Sequence, residues 1–351
     1  MKKLYVLFDC PELDNDKKWL VYGLNAKGYD VESLYVPQRL SQLIRNKHLF
    51  TNYLLQIVQV FKVLKKSQKD DIIICWYSVT GVILNLLSRM FANRRLLILM
   101  NWLTPPAKTS LTTFMYKFAI SNNKCTILVN SMESADQWQR LLSIDTVSYA
   151  HFIFNPDVYD SEVSFVNPLE KLKSVDGGYF FTGGMSNRNW ALLADVARKM
   201  DKVHFVCCAL QQDFESQVTN KPSNMKVYYN VSSDEYYSLL AGSYAVLIPL
   251  KSKSVAGLIN ILRSIQEGVI CCISETPATK QYYADETLQF VVEDSVESWL
   301  KCVMNLLTIE SDEYAKIITG MQDFIFNEFS PDSACDRLSE IVNQCRLFSE
   351  S

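Results

Sequence analysis

The chain has 351 residues, of which 48% are hydrophobic and 21% charged, and its formal net charge is −3 at pH 7. That length can carry two domain cores, and that balance excludes a disordered or low-complexity chain. Ten cysteines and three histidines include no CxxC and no His at metal-ligand spacing from a cysteine, which speaks against a zinc site and for buried, reduced thiols.

In chain order, short apolar runs alternate with segments of helical period. Strands are expected at Leu4–Asp9, Val31–Val36, Asp71–Tyr77, Leu96–Asn101, Thr126–Asn130 and Val147–Phe152. Helices are expected at Lys17–Lys27, Gln38–Lys47, Asn52–Lys66, Val79–Ala92, Thr109–Asn122 and Met132–Ser143. Strands of this kind separated by helices belong to an α/β doubly wound parallel sheet. The opening MKKLYVLFDC is one of these strands, too short in its apolar part for a secretion signal. No run of about 18 apolar residues, the length that spans a bilayer, occurs. A cytoplasmic location is the expectation.

Residues 154–177 break the rhythm with two Asn-Pro dipeptides and read as a linker. The alternation then restarts, with strands expected at Tyr179–Thr182, Val203–Ala209, Lys226–Tyr229, Tyr244–Leu250, Val269–Ser274 and Leu288–Val292. A helical tail follows over Val296–Thr308, Asp312–Asn327 and Ser333–Phe348.

Charge is divided unevenly. Residues 1–150 hold 19 Lys+Arg against 11 Asp+Glu, a balance of +8, and the remainder stands at −11. A basic half suits an anionic partner. No RNA-binding motif or base-stacking stripe accompanies it, so nucleic acid is not expected. Phe50–Lys69 is amphipathic and ends in Lys62, Lys65, Lys66 and Lys69, with Arg45, Lys47, Arg94 and Arg95 as possible additions to the same surface. That pattern fits an anionic membrane surface, and it equally fits a helix packed on the sheet with lysines at its C-terminus.

Two loops in the second half carry the chemistry. YFFTGGMSNRNW runs from a strand into the pair Gly183-Gly184, then Arg188, then a helix. YAVLIPLKSKSVAGLINILRSIQEGVICCIS runs from a strand through a lysine and serine loop to Gly257 and another helix. Paired glycines let backbone approach a ligand closely, an arginine can clamp phosphate oxygens, and free N–H groups at a helix start attract anions. Lys251 and Lys253 lie beside the second loop. In the first half, Asp9 ends the first strand, and Asn101, Trp102 and Thr104 form an aromatic and polar loop suited to stacking on a sugar.

These segments resemble the donor-binding half of GT-B glycosyltransferases, most nearly the bacterial family 4 type of capsule, exopolysaccharide and lipopolysaccharide assembly. The likeness rests on FTGGMSNRNW, on VYYNVSSDEYYSLLAGSYAVLIPL and on SKSVAGLINILRSIQEGVICCISETP, over residues 177–295. Over residues 1–150 it is architectural. The resemblance implies two Rossmann-like domains facing a cleft, with C-terminal helices. It divides the chain into an acceptor-binding domain at 1–153, a linker at 154–177 and a nucleotide-sugar domain at 178–330. Residues 331–351 would form a helix packing back toward the first domain.

The implied activity is sugar transfer from a nucleoside diphosphate sugar, a co-substrate with no cofactor and no metal, to a glycan or lipid-linked saccharide. Retention of the anomeric configuration is implied as well, on the cytoplasmic face of the membrane. Catalytic roles would fall on Arg188 and Lys253. Donor contacts would fall on Gly183, Gly184, Ser254, Ala256, Gly257, Leu258 and Arg263, with the nucleobase by Tyr229, Asn230 and Val231. Asp9, Asn101, Trp102 and Thr104 would face the acceptor. Where the family often carries two glutamates, this chain has Val255 and Arg263; Arg263 can only donate hydrogen bonds. That leaves open a different donor or an inverting outcome, or a non-catalytic subunit of a glycosyltransferase complex.

Overall fold

The computed structural model describes residues 3–8, 10, 12, 18–36, 49–68, 71–76, 78–90, 96–99, 114, 118, 125–129, 132–142, 147–149, 178–252 and 256–350. It divides into two compact units, Met1–Asp157 with Glu328–Ser351, and Val158–Asn327.

The first unit contains β1 (Leu4–Leu7), α1 (Lys18–Ala26), β2 (Val31–Leu34), α2 (Leu49–Lys66), β3 (Ile72–Cys75), α3 (Ser78–Met90), β4 (Leu96–Leu99), β5 (Cys125–Val129), α4 (Met132–Leu142) and β6 (Val147–Tyr149). The strands pair in parallel in the order β2-β1-β3-β4-β5-β6. β3 reads Ile-Ile-Ile-Cys and is wholly buried, because an inner strand of a parallel sheet is covered on both faces. Its side chains alternate between two clusters, as the two-residue period of a strand requires. Ile72 and Ile74 join Leu4, Val6, Leu20 and Leu24 on one face, while Ile73 and Cys75 join Tyr5, Leu7, Val60 and Leu84 on the other. Gln59 of α2 donates to the Phe8 and Leu34 carbonyls, each at 2.8 Å, and so ties the helix to the ends of two strands.

The second unit contains β7 (Tyr179–Gly183), α5 (Trp190–Lys199), β8 (His204–Ala209), α6 (Gln211–Glu215), β9 (Met225–Tyr229), α7 (Ser233–Ala241), β10 (Ala245–Ile248), α8 (Leu258–Gln266), β11 (Ile270–Ser274), α9 (Pro277–Lys280), β12 (Val291–Val292) and α10 (Val296–Thr308). Two long helices, α11 (Ser311–Phe329) and α12 (Pro331–Glu350), complete the chain. The second sheet is also parallel, in the order β12-β11-β10-β7-β8-β9.

Several elements differ from the sequence reading. The expected strand Leu288–Val292 is mostly a 3-10 turn, Asp285–Phe290, followed by the two residues of β12. Thr287 explains the change: its N–H and its hydroxyl both donate to the Ala284 carbonyl at 2.9 Å, so local bonds replace the ladder. The helices expected between the second-half strands include two short ones, α6 and α9; α9 starts on a Thr276 and Thr279 capping box with Pro277 at its first turn. The expected helices Gln38–Lys47 and, apart from Phe114 and Phe118, Thr109–Asn122 lie outside the described residues.

α12 packs on α1 within the first unit. Lys27 pairs with Asp336, and the Tyr29 hydroxyl meets Ser339 and Asn343. Gly23 faces the packing directly: an added Cβ there would lie 2.4 Å from the Cys335 sulfur. Gly320 on α11 is the contrast, with nothing within 4 Å of an added Cβ. We therefore expect Gly23→Ala to destabilise the protein by about 1–3 kcal/mol through overpacking. Gly320→Ala should stabilise it by up to about 1 kcal/mol, since Ala is the better helix former. Urea unfolding of the two variants beside the wild type checks both signs.

Candidate functional site

The chain builds β7, β8 and β9 outward, then returns to the other side of β7 to add β10, β11 and β12. The order of the second sheet thus reverses between β7 and β10. Open α/β sheets take ligands at the carboxyl ends of the strands at such a reversal. The two loops singled out in the sequence leave the carboxyl ends of these same two strands.

Backbone hydrogen bonds join the loops directly. Asn189 N–H donates to the Pro249 carbonyl at 2.9 Å and Lys251 N–H to the Asn187 carbonyl at 3.2 Å, making an antiparallel bridge of Arg188 with Leu250. The Asn187 amide donates to the Ser252 carbonyl at 3.0 Å and accepts from the Ser252 hydroxyl at 2.9 Å. This geometry needs Asn187 at φ 56° and Gly184 at φ 140°; asparagine tolerates the first, and the second suits glycine. Asn189 then caps α5 by accepting from Leu192 N–H at 3.1 Å.

Arg188 lies under this junction with only 3% of its surface exposed. Its Nε donates to the Gly183 carbonyl at 2.8 Å and its Nη1 to the Ser186 carbonyl at 3.1 Å. The guanidinium fills the space a side chain would need at Gly184: an added Cβ there would lie 2.4 Å from Nη2. An added Cβ at Gly257 would lie 3.7 Å from the same nitrogen and 3.0 Å from Ile248. Arg188 therefore reaches from the first glycine loop to the second.

Burial pulls the Arg188 pKa downward, yet a guanidinium stays charged in proteins. Among the described residues its bonds are to neutral carbonyls, with no carboxylate ion pair. An interior cation of this kind is costly unless an anion meets it. Beside it, α8 begins at Gly257, in the left-handed region at φ 89°. The N–H groups of its first turn lack intrahelical acceptors and carry about half a positive charge between them. Chemically, such an arrangement suits an anionic group.

The structure thus brings Gly183, Gly184, Arg188 and Gly257 together, with Ala256 and Leu258 adjoining. Lys253, Ser254 and Val255 lie outside the described residues. Lys251 is engaged elsewhere: it pairs with Asp213 at 2.8 Å. Arg263 pairs with Glu267 at 2.8 Å along the same helix and lies over the Tyr237 ring at 5.0 Å. Tyr229, Asn230 and Val231 sit at the end of β9, two strands from β7. There Asn230 turns the chain at φ 56° and the Tyr229 ring meets Phe214 edge-on at 6.4 Å. Asp9, Asn101, Trp102 and Thr104 lie outside the described residues.

Three residues absent from the sequence reading support the junction. Asp213 accepts from Trp190 Nε1 at 2.9 Å and from Lys251, joining α6 to α5 and to the second loop. Asn260 of α8 donates to the Gly183 carbonyl at 3.0 Å and to the Tyr236 hydroxyl of α7 at 2.8 Å. Asn260 left a trace in the sequence: with Ser264 it forms a polar pair four residues apart in a helix otherwise apolar on that side. Asp213 and Tyr236 are tied in by tertiary contacts that no local pattern announces.

Burial tends to raise the Asp213 pKa, but hydrogen bonds from Lys251 and Trp190 outweigh it and hold the carboxyl below its ordinary value. A depressed carboxylate pKa stabilises the fold above the unfolded value, and that stability is lost as pH falls through the folded value. We expect Asp213→Asn to cost on the order of 1 kcal/mol at pH 7, discounted for the partly exposed Lys251. The gap to wild type should begin to narrow below about pH 4, as pH falls toward the depressed folded value. Denaturant unfolding of the two proteins from pH 7 to pH 3 measures it.

No protein-family model and no curated protein matches the chain. Solved structures do. HepE of Anabaena, in complex with UDP and glucose, is 14% identical with a TM-score of 0.62, covering 98% of this chain and 100% of that one. Sucrose-phosphate synthase of Thermosynechococcus elongatus is 11% identical with a TM-score of 0.69, covering 100% of both. A trehalose-6-phosphate synthase studied for glycosyl transfer with retention is 11% identical with a TM-score of 0.67, covering 98% of this chain and 99% of that one. At these identities the likeness establishes the fold, and that fold is GT-B: two parallel α/β sheets followed by C-terminal helices.

Proposed function

We propose that the chain is a glycosyltransferase. It moves a sugar from a nucleoside diphosphate sugar to a glycan or lipid-linked saccharide, with retention and without a metal, in cell-surface polysaccharide synthesis. The observation that carries the reading is Arg188, an interior cation at the strand reversal whose described partners are all neutral. As the bond from the anomeric carbon to the diphosphate breaks, negative charge grows on the leaving group. Arg188 and the free N–H groups of α8 would stabilise that charge, and the sequence offers Lys253 as a further cation. The UDP complex of HepE and the retaining trehalose-6-phosphate synthase support the donor class and the stereochemistry by analogy of fold.

Arg188→Gln should lower transfer by about 10²- to 10³-fold, the usual cost of removing one donor to a developing oxyanion. A nucleoside diphosphate should raise the Tm of the wild type by mass action and leave that of the variant unchanged. Transfer at the wild-type rate by folded Arg188→Gln, or donor hydrolysis unaffected by any saccharide, would sink the reading. An NMR determination of the product anomer tests retention.

A membrane surface is proposed for α2. Val58 and Phe61 are about half exposed, and Lys62 and Lys65 are exposed at spacings that put all four on one helical face. Apolar side chains between lysines fit an interface of anionic lipid. Lys66 does not add to it, because it pairs with Glu32 at 2.5 Å, and Lys69 lies outside the described residues. No helix among the described residues is long and apolar enough to cross a membrane. Changing Lys62 and Lys65 to Gln should weaken binding to anionic vesicles by about 10-fold or more, since each basic residue contributes about 1 kcal/mol. Phe61→Ser should weaken it also at high salt, where the lysines are screened. Co-sedimentation with vesicles measures both.

A further inference from the structure

We propose that the Tyr236 hydroxyl is a third donor to the anion held by Arg188, aimed by Asn260. The inference rests on the donor reading above and adds a binding group to the same site. Tyr236 stands on α7, against the end of β7: its ring meets Phe181 edge-on at 5.3 Å. The phenol end lies over Gly183, where an added Cβ would be 2.5 Å from the hydroxyl oxygen. Gly183 is therefore a glycine for the sake of Tyr236, as Gly184 is for Arg188.

The hydrogen bonds around this hydroxyl are directional. Asn260 Nδ2 donates to it at 2.8 Å and donates also to the Gly183 carbonyl at 3.0 Å. That carbonyl in turn accepts from Arg188 Nε at 2.8 Å. An amide nitrogen has only hydrogens to give, so the phenol oxygen is the acceptor in this pair and its own proton remains to be donated. Among the described residues nothing accepts it. Burial raises the pKa of the phenol, which keeps that proton in place, and the Arg188 cation is near enough to act on it. A deep hydroxyl with an unused proton beside a cation with no described counter-charge calls for one ligand atom that serves both: a phosphoryl oxygen.

The bond set also assigns Asn260 a positioning role. It fixes the phenol and the Gly183 carbonyl together, and the carbonyl fixes the guanidinium. Replacing Tyr236 by Phe deletes one oxygen and keeps the packing. Replacing Asn260 by Leu keeps the volume and frees both partners.

Calorimetric titration with UDP and with uridine separates the outcomes, with GDP and guanosine, dTDP and thymidine, or CDP and cytidine run in turn if the uracil pair does not bind. Tyr236→Phe should bind the nucleoside diphosphate about 10-fold more weakly, bind the nucleoside as wild type does, and keep its Tm. Asn260→Leu should give a diphosphate-selective loss of similar size. A Tyr236→Phe protein with wild-type diphosphate affinity overturns the proposal and leaves the donor reading standing. Equal losses for diphosphate and nucleoside in both variants also overturn it, because a phosphoryl contact cannot weaken the nucleoside. A wild-type protein that binds none of the diphosphates overturns the donor reading and this inference together.

Discussion

Arg188 is the constraint to which the second unit is fitted. A guanidinium in the interior requires acceptors for its N–H groups and an anion for its charge. The protein supplies the first and not, among the described residues, the second. The Gly183 and Ser186 carbonyls turn toward it, and Gly184 gives up a side chain to make room. The loop after β10 is then stitched to the loop after β7 by the backbone of Asn187 and Asn189. Each of these features would be a needless local cost for a surface turn. Together they hold a positive charge at the one point of the sheet where two neighbouring strands diverge in connection.

The topology is what makes so small a junction possible. Because β7 and β10 are neighbours in the sheet but far apart in sequence, their loops meet without either being long. The register is fixed by buried pairs such as Ala245 with Phe180 and Val246 with Phe181, so the loop ends are placed by the core and not by their own stiffness. Further support comes from outside the junction: Leu250 N–H donates to the Ser274 hydroxyl at 2.8 Å on β11, and Asp213 anchors Lys251 from α6. A site built on strand ends in this way inherits the rigidity of the sheet.

The sheets were legible in the sequence because fully buried parallel strands are short apolar runs, and Ile72–Cys75, Ala245–Ile248 and Ile270–Ser274 are runs of that kind. The two glycine loops were legible because glycine pairs, a following arginine and a helix start carry a mechanism at fixed spacing. Fates of individual charges were not. Lys251, Lys66 and Arg263 stood out in the sequence as candidate cations for a ligand or a surface, and each is paired with a carboxylate of the fold: Asp213, Glu32 and Glu267. Of these partners only Glu267 is close in sequence. Arg188 escaped such pairing among the described residues, a fact that no window of residues could contain. Tyr236 and Asn260 were missed for the same reason, since their roles exist only where α7, α8 and the end of β7 meet.

The pairing of Arg263 has a consequence for how charge is distributed over the site. Glu267 is paired with Arg263 on α8, and Asp213 is paired with Lys251. Arg188 and the start of α8 both bring positive charge to the junction. A receptor so arranged distinguishes ligands by their charge more than by their shape, because at low effective dielectric the attraction scales with the charge brought in. Under the proposed function it would favour the leaving diphosphate, whose charge has risen, over the intact sugar donor. In an enzyme this is the useful direction of preference, since only interactions stronger after charge has developed lower the barrier. On the same proposal, release of the diphosphate would be slow or assisted, and the neutral phenol of Tyr236 would strengthen the hold without adding a second interior cation.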